Sequence, residues 1–274
     1  MDTAKVIAVC NHKGGVGKTV TTNCLGAALA DAGKKVLLID FDPQGNLTKG
    51  LGLREESSRC SIKDAISDEL NESLRPWTEY IVPVADNEDL ISANINFAGF
   101  ELQLATIMSR ETVFKRVIEP FKEHYDYILV DSSPALNLFT INTLVAADSL
   151  IIPVQAEPYA TDGLEDLLRT INTAKKHLNP NLSIEGILIT MTDARTNLSK
   201  HISQQVREMF QNRARVFSTE IPRCVKTAEA SLYGESPMDY APNSESSRAY
   251  KNLAKEISED GKGFTKAQYE RLIR

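Results

Sequence analysis

The segment Asn11-His12-Lys13-Gly14-Gly15-Val16-Gly17-Lys18-Thr19 constrains this chain more than any other. It follows an apolar run, Val6-Ile7-Ala8-Val9, and opens a helical pattern over about residues 19–32 that closes on Gly33 as a C′ residue. A strand that turns through glycines directly into a helix begins a βα unit. The same alternation recurs along the chain. Val36-Leu37-Leu38-Ile39, Ile128-Leu129-Val130, Leu150-Ile151-Ile152 and Ile187-Leu188-Ile189 read as buried strands. Helical patterns lie between them, such as residues 163–178, stopped by Asn179-Pro180. Near-continuous apolar strands alternating with helices predict an α/β fold: a mostly parallel sheet with helices on both faces. No internal repeat, low-complexity tract or Pro/Ser-rich linker interrupts the pattern, so a single domain is the economical reading.

The glycine segment carries a definite chemistry. Glycines let the backbone turn tightly, so that successive N–H groups point into one concavity. The N-terminus of the following helix adds partial positive charge, which together make an anion site for phosphate groups. Lys18 can reach the β- and γ-phosphates of a nucleotide, and the Thr19 hydroxyl can ligate Mg²⁺. Gly-Lys-Thr at a strand-to-helix junction is the context a P-loop requires.

Composition excludes other classes. The longest apolar runs are far too short to span a bilayer, and the N-terminus shows no cleavage-site pattern, so a cytoplasmic protein is expected. Cys10, Cys24, Cys60 and Cys224 lack paired spacing, as do His12, His124, His177 and His201; free thiols are expected rather than disulfides or a zinc site. With 31 basic against 37 acidic side chains the net charge is −6, so any nucleic-acid role must come from a local patch. Charge is indeed uneven. Residues 55–89 carry ten acidic and three basic side chains. Residues 191–226 carry seven basic ones (Arg195, Lys200, Arg207, Arg213, Arg215, Arg223, Lys226) against three acidic, a net of +4.

The P-loop departs from the ordinary form. His12 stands at the usual first glycine, and Lys13 precedes the glycine pair. This Lys-Gly-Gly-Val-Gly-Lys-Thr form resembles the deviant Walker A motif of the ParA/MinD ATPases, a resemblance that implies binding through Lys13, Gly14, Gly15, Val16, Gly17, Lys18 and Thr19. It implies that Lys13 reaches across a nucleotide-sandwich homodimer to the partner's phosphates, coupling dimerisation to ATP. Leu38-Ile39-Asp40-Phe41-Asp42-Pro43-Gln44-Gly45-Asn46 resembles the family's second acidic motif, with Asp42 near the attacking water and Asp40 nearer the metal shell. Tyr127-Ile128-Leu129-Val130-Asp131-Ser132-Ser133-Pro134 resembles Walker B, in which Asp131 holds Mg²⁺ through water. Lys13, Lys18 and Asp42 are thus the catalytic candidates, and Thr19, Asp40 and Asp131 the metal candidates.

The resemblance spans about residues 4–257, implying one ATPase domain over 1–257 and a tail over 258–274 that could form a short helix. It is closest to the ParA/Soj partition ATPases, through Ile152-Pro153-Val154-Gln155, Gly163-Leu164, residues 190–198 and Ile221-Pro222-Arg223. In that branch the last segment lies near adenine, which implicates Pro222 and Arg223. Arg195 and Lys226 match basic positions used for non-specific DNA binding, and Arg223 divides between the two roles. Departures are Cys224 where Asn is common, Ala241-Pro242-Asn243-Ser244-Glu245-Ser246 where two arginines are usual, and Ser132-Ser133 after Walker B.

The leading expectation is therefore an ATP- and Mg²⁺-dependent partition ATPase, cytoplasmic and nucleoid-associated. Its ATP-driven dimer would bind double-stranded DNA without sequence preference, and a ParB-like centromere-binding partner would stimulate hydrolysis and release. A second reading is a MinD-like membrane ATPase acting at the division site, which needs an amphipathic C-terminal helix. A third is a small-molecule ligase on the same fold, with turnover that depends on a small carboxylate or amine. The nitrogenase iron protein also shares the fold, but these four cysteines do not match its pattern.

Overall fold

The computed structural model describes residues 3–53, 60–73, 75–158, 162–211 and 213–259. Eight strands form one sheet: β1 (Lys5–Val9), β2 (Val36–Phe41), β3 (Val82–Ala85), β4 (Glu88–Ile91), β5 (Tyr127–Ser132), β6 (Ser149–Gln155), β7 (Ser183–Thr192) and β8 (Ile221–Pro222). Their spatial order is β3-β4-β2-β5-β1-β6-β7-β8. Every pairing is parallel except β3 with β4. The five apolar runs read from the sequence lie inside β1, β2, β5, β6 and β7.

Alternation along each strand builds two cores. Ile7, Val9, Val36, Leu38, Leu129, Ile151 and Leu188 face one side of the sheet. They pack under α1 (Lys18–Asp31), α2 (Asn46–Gly50), and, later in the chain, the helices α10 (Pro237–Tyr240) and α11 (Glu245–Glu259). Val6, Ala8, Leu37, Ile39, Ile128, Val130, Leu150 and Ile187 face the other. That side is covered by α3 (Ile62–Leu70), α4 (Phe100–Leu104), α5 (Val113–Ile118), α6 (Leu138–Ala146), α7 (Asp162–His177) and α8 (Asn197–Phe210). Helix α9 (Val225–Tyr233) follows β8 at the carboxyl edge of the sheet.

Local signals explain the helix ends. Helix α1 closes in a Schellman turn: Lys34 N–H donates to Leu29 O, Gly33 N–H donates to Ala30 O, and Gly33 takes φ 80° as the C′ residue. Gly26, inside α1, permits close approach to the sheet, since a Cβ there would meet Glu88 Oε1 and Leu38 Cδ2 at 2.6 Å. The Asn179 that stops α7 has a larger role than a breaker. It is buried, and its amide donates to the carbonyls of Leu144, Val145 and Ala147 at the end of α6. Helix α11 runs through residues 258 and 259, so the expected boundary at 257 falls inside a helix. The rest of the tail, 260–274, lies outside the described residues. Among the described residues, no helix is long and apolar enough to cross a membrane.

Candidate active site

After β1 the chain turns from Cys10 to Gly17, and α1 begins at Lys18. The turn is tied down from two directions. The Asn11 amide donates to Pro153 O at 2.7 Å, and its Oδ1 accepts from Lys13 N–H at 3.0 Å. The Thr190 hydroxyl, near the end of β7, donates to Val16 O at 2.9 Å. Gly15 and Gly17 take φ 73° and 90°, a region that strains any residue with a Cβ. Gly17 is the N-cap of α1 and brings no side-chain cap, so the first N–H groups of the helix open onto the cleft before it.

That cleft has a volume of about 630 Å³ and is lined by Gly14, Gly15, Gly17, Lys18, Thr19 and Asp42, among others. Lys18 is buried, and its ammonium donates to Lys13 O at 3.3 Å. Burial pulls its pKa down, and the nearby Asp131 and Asp42 oppose that shift. Lys13 behaves differently: its side chain is exposed and does not line the cleft.

Two acidic strand ends meet behind the glycine loop. Asp40 and Asp131 are register partners on β2 and β5. Thr19 Oγ1 donates to Asp131 Oδ2 at 2.7 Å, while Asp131 Oδ1 is buried with no hydrogen-bond partner among the described residues. Burial pushes the Asp131 carboxyl well above the usual range, and Asp40 adds to the shift. Asp40 is pushed up to about 6, again chiefly by burial. Its oxygens are taken by the loop that follows: Oδ2 accepts from Thr48 N–H and Oγ1–H, and Oδ1 from Asp42 N–H at 3.3 Å. Asp42 itself is buried but lines the cleft, with Oδ1 accepting from Gln44 N–H at 3.0 Å. Asp40 therefore shapes the loop that presents Asp42, a role the sequence motif did not reveal. No group of three or more His, Cys, Asp or Glu side chains forms a metal cage among the described residues. The Thr19 hydroxyl and the unpartnered Asp131 oxygen instead suit a hard divalent cation that takes most of its oxygen ligands from water and phosphate.

A second, apolar cleft of about 420 Å³ adjoins the first, and Gly17, Val20, Met191 and Ser231 line both. Pro222, Arg223 and Cys224 form part of its wall, and Tyr250 of α11 forms another part. Met191 was not singled out from the sequence. It takes φ 54°, unusual for a non-glycine residue, and its Cε lies 3.9 Å from the position of a Cβ on Gly17. No local sequence signal marks it, because Gly17 lies far from it along the chain.

The three basic candidates share the carboxyl edge of β7 and β8. Arg195 lies in the loop between β7 and α8, Arg223 follows β8, and Lys226 is in the first turn of α9. The two loops are joined by Arg223 N–H donating to Thr192 O at 2.9 Å. Two acids already counted in the net of +4 pair within the stretch, Asp193 with Arg195 and Glu220 with Arg207, and two more reduce that net from outside it, Glu256 on Arg215 and Glu157 on Arg223. Glu157 and Glu256 lie outside the counted stretch, so folding brings in acids that a linear count misses.

A family model described as an AAA domain matches residues 4–184. The sporulation initiation inhibitor protein Soj of Bacillus subtilis is 45% identical over 259 residues, covering 94% of this chain and 99% of Soj. The chain belongs to the Soj/ParA family. The chromosome partitioning protein ParA of Myxococcus xanthus is 38% identical over 254 residues, covering 92% of this chain and 87% of ParA. The crystal structure of cobyrinic acid a,c-diamide synthase from Mycobacterium smegmatis, with bound ADP and magnesium, superposes with a TM-score of 0.79 at 31% identity, covering 96% of this chain and 99% of that one. The Soj/ParA fold is thus shared with a metabolic enzyme, and the branch is decided by the higher identity to Soj. Cys10, Cys24 and Cys224 are free thiols.

Proposed function

We propose that this chain is a Mg²⁺-dependent ATPase that partitions DNA: ATP drives a sandwich homodimer, the dimer binds duplex DNA without sequence preference, and hydrolysis stimulated by a ParB-like partner releases it. The observation that carries the reading is the convergence of Lys18, the Thr19–Asp131 pair and Asp42 on one cleft, with an apolar cleft alongside. The triphosphate fits the first cleft, under the open N–H groups of α1 and the Lys18 ammonium. Adenine fits the second, against Pro222 and Arg223. Thr19 and Asp131 would hold Mg²⁺, with Asp40 behind them; the ion neutralises charge on the phosphates when bound. Asp42 orients the attacking water and accepts its proton as the γ-phosphate leaves. Slow intrinsic turnover is expected, because the cleft supplies positioning groups and no strong base.

Lys13 completes the reading. Its side chain is exposed, so it is available to a second copy. A cation delivered across a dimer stabilises phosphate charge only when two chains meet, which makes dimerisation depend on ATP. Arg195, Arg223 and Lys226 then provide the phosphate contacts to DNA, doubled by the dimer.

ATP turnover with and without DNA tests the reading against a small-molecule ligase. Mg²⁺-dependent turnover in the absence of any small carboxylate or amine, altered by DNA and a ParB-like partner, is the expected result. Turnover that appears only with a small carboxylate or amine contradicts it.

A further inference from the structure

The three basic residues at the β7–β8 edge are not equivalent. Lys226 is exposed and has no ion pair among the described residues. Arg223 Nη2 lies 3.5 Å from Glu157 Oε1, a loose contact. Arg195 is gripped. Its Nε is 2.9 Å from Asp193 Oδ1 and its Nη2 is 2.9 Å from Asp193 Oδ2, a two-point pairing of guanidinium and carboxylate. Asp193 Oδ1 also accepts from Arg195 N–H at 3.0 Å.

This geometry is the one in which a guanidinium takes a phosphate. The Arg195 side chain is 89% exposed, so packing does not explain its conformation. The surrounding charges agree. Hydrogen bonds from Arg195 hold the Asp193 carboxyl down at about 2, and the more distant Arg223 contributes to the same shift. Asp193 is therefore an ionised carboxylate paired with Arg195 and felt more weakly by Arg223.

We propose that Asp193 is an affinity-setting residue of the nucleic-acid surface: it occupies the phosphate-binding fork of Arg195, and a DNA phosphate has to displace it. The inference rests on the DNA-binding reading above. It explains how a chain with strong cations at this edge can avoid tight DNA binding as a monomer. One displaced carboxylate per chain is a modest cost that two chains and many phosphates can overcome together. It also predicts weaker binding than the count of basic residues suggests.

The test is binding of a mixed-sequence linear duplex by the full chain with ATP and Mg²⁺, over a series of salt concentrations. Asp193→Asn keeps an acceptor for Arg195 N–H but removes the charge; Asp193→Ser is a second variant, and thermal melts check that both fold. Each is expected to bind DNA roughly tenfold more tightly near ~0.1 M salt, with a log-log salt slope close to that of wild type, because the Arg195–phosphate contact forms in both complexes. The gain should vanish when Arg195→Ala is added, since the effect acts through that fork. Wild-type affinity in both variants, or an equal gain with Arg195→Ala present, overturns the proposal. If Arg195→Glu abolishes binding while the Asp193 variants change nothing, the DNA surface stands and the clamp falls. If no variant and no wild-type protein binds DNA, both fall together.

Discussion

Asp40 and Asp131 stand opposite each other on adjacent parallel strands, two buried carboxyls in register. Burial raises the pKa of both; Asp40 adds to the shift at Asp131, Asp42 adds to the shift at Asp40, and a hydroxyl offsets part of each, Thr48 at Asp40 and Thr19 at Asp131. Buried acids that repel in the absence of a cation are poised to bind one. Asp131→Asn should therefore raise the melting temperature of the nucleotide-free protein, by about 3 °C, while removing most of the Mg²⁺ dependence of ATP binding. Calorimetric melts and nucleotide titrations with and without Mg²⁺ check both halves.

Lys18→Ala removes the buried ammonium from the phosphate cleft. Losing a charge-assisted contact to phosphate should weaken ATP binding on the order of 10- to 100-fold. Isothermal titration of a folded variant with wild-type ATP affinity contradicts the assignment.

Asp42→Ala leaves Lys18, Thr19 and the glycine loop in place, so ATP should still bind. Hydrolysis should fall on the order of 100-fold or more, the usual scale for a positioned proton acceptor, and the ATP dimer should persist. Phosphate release at saturating ATP is the measurement; equal rates in wild type and variant remove Asp42 from the mechanism.

Much of this was legible in the sequence because the signals are local. The glycine loop, the helix it opens and the acids at the ends of β2 and β5 each sit within a few residues of their own strand. What escaped is non-local. Met191 takes a left-handed backbone near the end of β7 with its side chain beside Gly17, and Glu256 reaches Arg215 across 41 residues. Strand β4 escaped for another reason. Its sequence, Glu88-Asp89-Leu90-Ile91, opens with two acids, yet Glu88 is buried under Gly26 of α1.

Glu88 makes stability depend on pH. Its pKa is pushed up from 4.5 to about 8, mainly by burial and then by Asp239, Asp31 and Asp89. Between those values the folded chain holds a proton that the unfolded chain releases. The stabilisation is complete below about pH 4.5 and is lost as pH rises through about 8, at up to ~1.4 kcal/mol per pH unit. Glu88→Gln should flatten this fall, so that the variant keeps more of its pH 5 stability at pH 8 than wild type keeps of its own. Denaturant melts of both proteins across pH 5–8 check it; parallel curves contradict the assignment.

Lys13→Ala should bind ATP as a monomer about as well as wild type, because this exposed side chain does not line its own chain's cleft. ATP-dependent dimerisation and hydrolysis should be lost. A persistent ATP dimer in light scattering, with wild-type turnover, contradicts the cross-dimer role.

The central claim is that ATP converts this chain into a DNA-binding dimer. Anisotropy of a labelled duplex, titrated with wild type, Arg195→Glu and Lys226→Glu in ATP, ADP and no nucleotide, tests it most directly. The account predicts tight binding only by wild type with ATP, equal for unrelated sequences and steeply weakened by salt, with both reversal variants failing to bind while retaining ATP binding and dimerisation. Wild-type binding that is the same in all three nucleotide states, or undiminished in both variants, would contradict it.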